Sequence, residues 1–584
     1  MSIKQAIRRK ASLSGEKVKS IRIIIFFFVF LIVAFLSLAG RCFYLQYLKS
    51  DYYVSACDRQ QLGRITQMPQ RGVILDRRGR VLAASNRIQT IFAEPRVIKD
   101  PKDTSTKLAP ILDMGAHEIC KLITDGKNPG FVKIRAGADA NQCRAAAKIY
   151  GIGVQSDWRR HYPMGSLACH IVGFTSVDNR GLGGIELQYD KGLGGSAGQD
   201  IFLADALRRP IRLKQQNGIV NDGVGIILTL DATIQQFARV ELMKQYNSYQ
   251  AESAVAIVAD AKTGAILASV SLPDFDPNKI RTTNPSRFCN HAITDQYEPG
   301  SIIKPIVAAI AIDAGVVNRN EKIYCEEGHY HGKGFGSIGE YGGHRYGSLT
   351  LDEILTVSSN IGMAKIGQKL GKKKLYNGMK HFGFGKETGI ELPGETEGFL
   401  PPLQSWTGYS ETRIPFGQEI SVTAIQLIRA FCILTNGGCS VRPFIVRAMV
   451  DNNGKIIKMK QPPPSAGFII DPEVAKWIVT DAMVDVVNEE KGTGRRAKLK
   501  KWQVFGKTGT ANIANSDRRG YSETDFIASF IGGAPAEDPK VIVLVSIRKP
   551  NVSLGKGYTG GTVAAPVVAA ILEKTLNYLE KHPL

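Results

Sequence analysis

Eighteen consecutive residues without a charge, "IIIFFFVFLIVAFLSLAG" from Ile23 to Gly40, constrain this chain more than any other feature. At about 1.5 Å of rise per residue, a helix of that length nearly crosses a hydrocarbon layer about 30 Å thick. Lys4, Arg8, Arg9, Lys10, Lys17, Lys19 and Arg22 precede it against Glu16 alone. Positive charge is retained on the cytoplasmic side, so residues 1–22 read as a basic cytoplasmic tail and residues 23–41 as the span. Everything after residue 41 is then expected outside. The run exceeds the roughly 7–15-residue apolar core of a cleaved signal, and "GRCFYLQ" offers no small-residue cleavage site, so a retained anchor is expected. The Arg8-Arg9 pair lacks the flanking residues of a twin-arginine signal.

Topology decides how the charge is read. Seven basic residues and one acidic residue in the tail account for six of the net +22, leaving +16 on the remainder. Outside the cytoplasm that excess favours an anionic membrane surface or wall polymer, or is simply a basic solvated surface; nucleic acid is not an expected partner. The odd count of nine cysteines, with no C-x-x-C, implies at least one unpaired thiol and no disulfide framework.

A chain of 584 residues is long enough for two to four domains. "RGVILDRRGRVLAAS" (71–85) reads as paired strands around an Arg-Gly turn, and "GLGGIELQYDKGLGG" (181–195) as a glycine-punctuated loop. "GIILTLDATIQQFARVEL" runs from strand into helix, and a boundary is expected at Asp231. Beyond it, "AVAIVADAKTGAILASVS" predicts two strands, "IIKPIVAAIAIDAG" an apolar helix, "FIASFIGGAP" and "VIVLVSIRK" further strands, and "TVAAPVVAAILEKTLNYLEK" a closing helix. Strands at both ends of a helical middle predict an α+β domain.

In "YEPGSIIKP" (297–305), Ser301 and Lys304 stand one helical turn apart on one face, within expected hydrogen-bonding reach. An amine freed of its proton by burial or neighbouring positive charge can activate such a hydroxyl. Spacing alone decides nothing, because Ser14, Ser546 and Ser553 also head S-x-x-K. Context does. "SSN" at 358–360 sits between two helix-like stretches 57 residues after Ser301, and "GKTGTA" at 506–511 follows the strand-like "WQVF", with Lys507 another 149 residues on. The order S-x-x-K, S-x-N, K-T-G is shared by penicillin-binding proteins and serine β-lactamases. The earlier Lys262-Thr263-Gly264 reads as a β-turn.

With those motifs, and with "RGVILDRRGRVLA", "HYPMGSLACHIVGF", "GIELQYDKGLGG", "LTLDATIQ", "ITDQYEPGSIIKP", "LTLDEILTVSSNIGMAKI" and "PFGQEISVTAIQLIRAF", the chain closely resembles a class B penicillin-binding protein from the anchor nearly to its end. "TDQYEPGS" looks more like the division (septal) enzymes than the elongation type. The resemblance implies a penicillin-binding/β-lactamase-like transpeptidase domain over 231–584, an antiparallel sheet flanked by helices, on a β-rich pedestal or dimerisation-like domain over 42–230. It implies a peptidoglycan D,D-transpeptidase in a bacterial cytoplasmic membrane, acting on stem peptides, acylated by β-lactams and needing neither metal nor organic cofactor. By the same resemblance Ser301 is the nucleophile, Lys304 its base, Ser358 a proton shuttle, Asn360 an orienting amide and Lys507 a source of positive field. Thr508 and Thr510 would bind the substrate carboxylate, Gly509 would let substrate lie along the strand, and the N–H groups of Ser301 and Thr510 would form the oxyanion hole. Implied partners are a polytopic lipid-linked glycan polymerase and other division proteins.

Alternatives are an elongation-type enzyme, a D,D-carboxypeptidase or β-lactamase, and a β-lactam sensor or scaffold. About 22 cytoplasmic residues are too few for a signalling domain, and the long segment 42–230 has little use in a plain hydrolase. "GGSAG" (194–198) matches G-x-S-x-G but lacks the strand before and helix after that a nucleophile elbow needs. Cys325, Glu326, His329, His331 and His344 have zinc-ligand chemistry but read better as a polar loop at the rim of the site.

Overall fold

The computed structural model describes residues 3–126, 128, 130–204, 210–217, 220–460, 467–515 and 520–584. Two compact units divide the chain: Met1–Gln67 with Ala197–Val220, and Met68–Ser196 with Asn221–Leu584. In the first, a helix runs Ile3–Phe43, and a three-stranded antiparallel sheet orders Leu62–Gln67, Gly198–Ala204 and Pro210–Asn217. Among the described residues, Val18–Leu48 is the one stretch of helix long and apolar enough to cross a membrane, and none of its apolar window is buried in protein.

The second unit is built on a five-stranded antiparallel sheet. Its strands are β1 (Ser253–Asp260), β2 (Ile266–Leu272), β3 (Phe505–Ala514), β4 (Tyr521–Ala534) and β5 (Val541–Arg548), ordered β2-β1-β5-β4-β3. The near-continuous apolar run of β1 follows from burial on both faces. Val255, Ile257 and Ala259 enter one core, while Ala254, Ala256 and Val258 enter the other, as the period-two alternation of a strand requires. Helices α1 (Ala232–Ser248) and α6 (Ala565–Lys581) cover the second face through Ile234, Leu242, Val568 and Leu572. Helices α2 (Lys304–Asp313), α4 (Asn360–His381) and α5 (Ala424–Thr435) fill the first core, with short α3 (Leu351–Thr356) leading into α4. α2 is apolar all round because it lies inside that core, and each fully buried Ile or Val on it contributes about 1.5–3 kcal/mol. β3 is an edge strand of this sheet and packs against the turn that leads into α2, and it carries Lys507-Thr508-Gly509-Thr510.

A second, seven-stranded sheet spans the expected boundary at residue 231. Its strands come from Ile74–Leu75, Val81–Ala93, Val132–Ala136, Ile152–His161, Gly225–Leu228, Val446–Val450 and Ile456–Met459, so segments from both sides of that boundary share one sheet. Asp231 is no linker. Its carboxylate is fully buried, receives Arg78 Nε at 2.8 Å and Arg80 Nη2 at 2.5 Å, and caps α1 by accepting from Thr233 N.

The segment expected as a glycine loop holds two short helices, Gly184–Gln188 and Asp190–Gly194. Arg71 explains them. Its guanidinium, 2% exposed, donates to Glu186 Oε2 at 2.5 Å, Glu186 O at 2.7 Å and Asp190 Oδ1 at 2.7 Å, while Arg160 Nε holds Glu186 Oε1 at 2.6 Å. Glu186 is completely buried between two arginines, so Glu186→Ala leaves both without their main counter-charge. A loss of about 3–5 kcal/mol of stability is expected, read from denaturant unfolding of the detergent-solubilised chain. The G-x-S-x-G match runs helix to strand: Gly194 ends a helix, Ser196 bridges Asn221, and a strand starts at Gly198, so no elbow forms.

Candidate active site

Ser301 lies in a 3-10 turn, Gly300–Ile303, that runs directly into α2 at Lys304, with Pro305 in the first helical turn, where no backbone donor is missed. The turn is held by backbone. Gly300 takes φ 54°, and its N–H donates to Gly417 O at 3.1 Å. Gly417 itself takes φ 87°, and a Cβ there would stand 2.1 Å from Gly300 O. Gly417→Ala therefore pushes the Ser301 turn out of place. Displacements of about 1 Å cost on the order of 10²-fold in rate, so acylation by a chromogenic β-lactam is expected to slow by that factor.

Behind the turn stand two lysines, both fully buried. Lys304 Nζ donates to Ser358 O at 2.6 Å and Asn360 Oδ1 at 2.8 Å, with Ser358 Oγ at 3.3 Å. Lys507 Nζ, on β3, donates to the same Ser358 Oγ at 2.8 Å. One hydroxyl thus sits between two amines. Burial lowers the pKa of Lys304 to about 7, against a smaller upward pull from Glu340. Lys507 is also held well below its ordinary value, first by burial and then by the Lys304 charge. Two ammonium groups this close in a buried site are mutually unfavourable.

One expectation needs correction. Among the described residues, no hydrogen bond joins Ser301 Oγ to Lys304 Nζ, because the amine is directed to Ser358 O and Asn360 Oδ1. In its neutral form the amine gives its two N–H groups to those acceptors, with the Ser358 hydroxyl at 3.3 Å as its third polar neighbour. Without substrate, such sites often keep their catalytic hydrogen bonds long.

Ser301, Ser358, Asn360, Thr508 and Thr510 line a cleft of about 650 Å³, with the two lysines beneath it. Thr508 Oγ1 pairs with Thr493 Oγ1 at 2.9 Å, and Thr510 Oγ1 accepts from Gly560 N at 3.1 Å. Gly509 has a packing role. A Cβ there would meet Ile302 Cγ1 at 2.8 Å and Pro299 O at 3.0 Å, so its missing side chain lets β3 pack on the serine turn.

Sequence reasoning missed several neighbours. Ser358 takes φ 61°, a left-handed conformation uncommon for a non-glycine residue. Glu340, on the glycine-rich loop, is buried against Ser359 and the start of α4. Glu298 accepts from Tyr521 OH at 2.9 Å and Glu419 N at 3.0 Å, and burial raises its pKa. The Ser358 backbone conformation is not written in its motif, and Glu340 and Glu298 reach the cleft from separate loops. The five residues weighed for zinc are not gathered. Among the described residues, the one metal-capable trio is Cys289, His291 and Asp295, whose groups already pair with one another and with Thr294.

The family model described as "Penicillin binding protein transpeptidase domain" matches residues 254–573, and "Penicillin-binding Protein dimerisation domain" matches residues 66–225. The chain is a class B penicillin-binding protein of the division type. It is 35% identical to Stage V sporulation protein D of Bacillus subtilis over 568 residues, 96% of this chain and 86% of that protein. It is 30% identical to peptidoglycan D,D-transpeptidase FtsI of Escherichia coli, covering 95% of this chain and 91% of the relative. A peptidoglycan synthetase from Bifidobacterium adolescentis shares the fold, with a TM-score of 0.71 at 24% identity over 90% of this penicillin-binding protein and 97% of that chain. The activity of the penicillin-binding protein is that of a serine-type D,D-transpeptidase, on an α+β transpeptidase domain joined to a β-rich dimerisation region.

Proposed function

We propose that Ser301 carries the acyl group during cross-linking of peptidoglycan stem peptides at the division septum, with Lys304 as its base. The observation that carries this reading is the fully buried Lys304 amine, held between Ser358 O and Asn360 Oδ1 at the floor of the cleft that Ser301 lines, where burial lowers its pKa to about 7. As Ser301 Oγ bonds to the carbonyl carbon between two D-alanines, Lys304 takes the hydroxyl proton. The Ser358 hydroxyl, between both amines, passes a proton to the leaving D-alanine nitrogen as the C–N bond breaks. An acceptor amine then attacks the ester, the C–O bond breaks, and the proton returns to Ser301.

The Ser301 and Thr510 N–H groups receive the developing oxyanion. A Cβ built on Gly300 would lie 3.2 Å from Thr510 O, and on an antiparallel strand the N–H of that residue points the same way. Lys507 supplies positive field, and the Thr508 and Thr510 hydroxyls bind the terminal carboxylate. Asn360 keeps Lys304 aimed. A β-lactam enters the same chemistry because its strained amide opens onto the serine. The apolar N-terminal helix holds the enzyme in the membrane as a single span, tail inside and cleft outside. Partners of this topology are a polytopic glycan polymerase and other division proteins.

The test is product analysis with a synthetic stem pentapeptide and an acceptor amine, together with localisation of a tagged chain. Cross-linked product released one-for-one with D-alanine, and enrichment at midcell, are expected. Hydrolysed tetrapeptide alone would convert the reading to a carboxypeptidase; side-wall distribution would remove the septal assignment.

A further inference from the structure

We propose that Glu340 is a positioning residue of the transpeptidase: its buried carboxylate clamps the Ser358–Asn360 corner and thereby aims Asn360 and the Lys304 amine. The inference rests on the reading of Lys304 as base to Ser301.

Glu340 is 8% exposed, and its carboxylate is aimed at the first turn of the 22-residue α4. It accepts from Ser359 Oγ at 2.5 Å, from Asn360 N at 2.7 Å and from Ile361 N at 3.3 Å. A negative charge at a helix N-terminus is favourable, and here it satisfies N–H groups that have no partner within the helix. The consequence reaches the base. Asn360 Nδ2 donates to Gly339 O at 3.2 Å, the carbonyl next to Glu340, so the amide is oriented with Oδ1 toward Lys304 Nζ at 2.8 Å. On the other side of the corner, Ser358 is held at φ 61°, and its carbonyl takes the second amine N–H. A non-glycine residue in that conformation persists only when its surroundings over-determine it. Glu340 and Ser359 provide that restraint, since Ser359 Oγ also caps α4 by accepting from Gly362 N at 3.0 Å.

The titratable groups facing this carboxylate are few. Lys304 lies across the corner, with Lys507 behind it, and Cys325 and Tyr346 border the loop side. Glu340 is thus the anionic neighbour that pulls the Lys304 pKa upward against burial.

The experiment measures acylation by a fluorescent penicillin across pH 5.5–9 for wild type, Glu340→Gln, Glu340→Asp, Ser359→Ala and Ser301→Ala, all as detergent-solubilised full chains. Unpairing a buried charged hydrogen bond is expected to lower the plateau acylation constant of Glu340→Gln about tenfold or more. Its acid limb moves to lower pH, because a charge that favours protonated Lys304 is gone. Glu340→Asp recovers part of the rate. Ser359→Ala, which keeps the carboxylate, loses rate with its acid limb in place, and it carries the test if Glu340→Gln fails to fold. Wild-type acylation in Glu340→Gln, or reduced acylation with an unmoved acid limb, overturns the proposal; so does an unimpaired Ser359→Ala. Labelling of Ser301→Ala overturns instead the underlying assignment of the nucleophile.

Discussion

Ser301→Ala abolishes covalent capture of penicillin. Only one hydroxyl lies on the turn at the free edge of β3, and removing it leaves no atom there to form the ester. Loss of the nucleophile in a serine acyl-transfer site typically costs about 10⁶ in rate, and what remains comes from binding and the oxyanion donors, which form no bond. The fold should not suffer. Ser301 is only partly buried, and the turn is fixed by Gly300 and Gly417 through backbone contacts. The expected result is an unlabelled band for Ser301→Ala beside a labelled wild type at equal unfolding temperature, with no adduct in the intact mass. An adduct on the variant would move the chemistry to another residue.

The second large effect concerns the base. Lys304→Ala is expected to slow acylation by about 10³–10⁴-fold, the upper range for removing a general base. The sign of the pH dependence follows from burial. Only the neutral amine can accept the Ser301 proton, and its pKa is lowered to about 7, so wild-type acylation rises as pH climbs through about 7 and falls away below it. An unburied lysine, at about 10.4, would be almost wholly protonated at neutral pH and useless as a base. In Lys304→Ala the surviving acylation loses that limb. Stopped-flow rates between pH 5.5 and 9 check both points. A variant that keeps the same limb at reduced amplitude would transfer the titration to Lys507, the other depressed amine at the Ser358 hydroxyl.

Local sequence carried much of the architecture. Strand and helix periods in residues 253–272, 302–312, 526–548 and 563–576 were readable, because those segments are buried on one or two faces. "SIIK", "SSN" and "KTGT" named the groups that meet at the cleft, since each is a short motif whose members are neighbours in the chain. Readings based on glycine content fared worse. "GLGGIELQYDKGLGG" folds as two short helices because Arg71, over a hundred residues away, neutralises Glu186 and Asp190. Nor does the local pattern at Asp231 show that its carboxylate is buried by Arg78 and Arg80 from the other side of the chain.

By itself, then, the sequence determined an N-terminal apolar helix long enough to span a membrane, the α+β class and the serine, lysines and asparagine that meet at the cleft, all properties of residues next to or near one another. Tertiary structure alone decided how those groups address each other. It turned the Lys304 amine to Ser358 O and Asn360 Oδ1 rather than to Ser301, placed one hydroxyl between two amines, and gave Gly509 to packing against Ile302. It also buried Glu340 under the corner it braces. The physical reason is that pKa values and hydrogen-bond directions depend on burial and on charges brought from distant segments, and no local pattern encodes either.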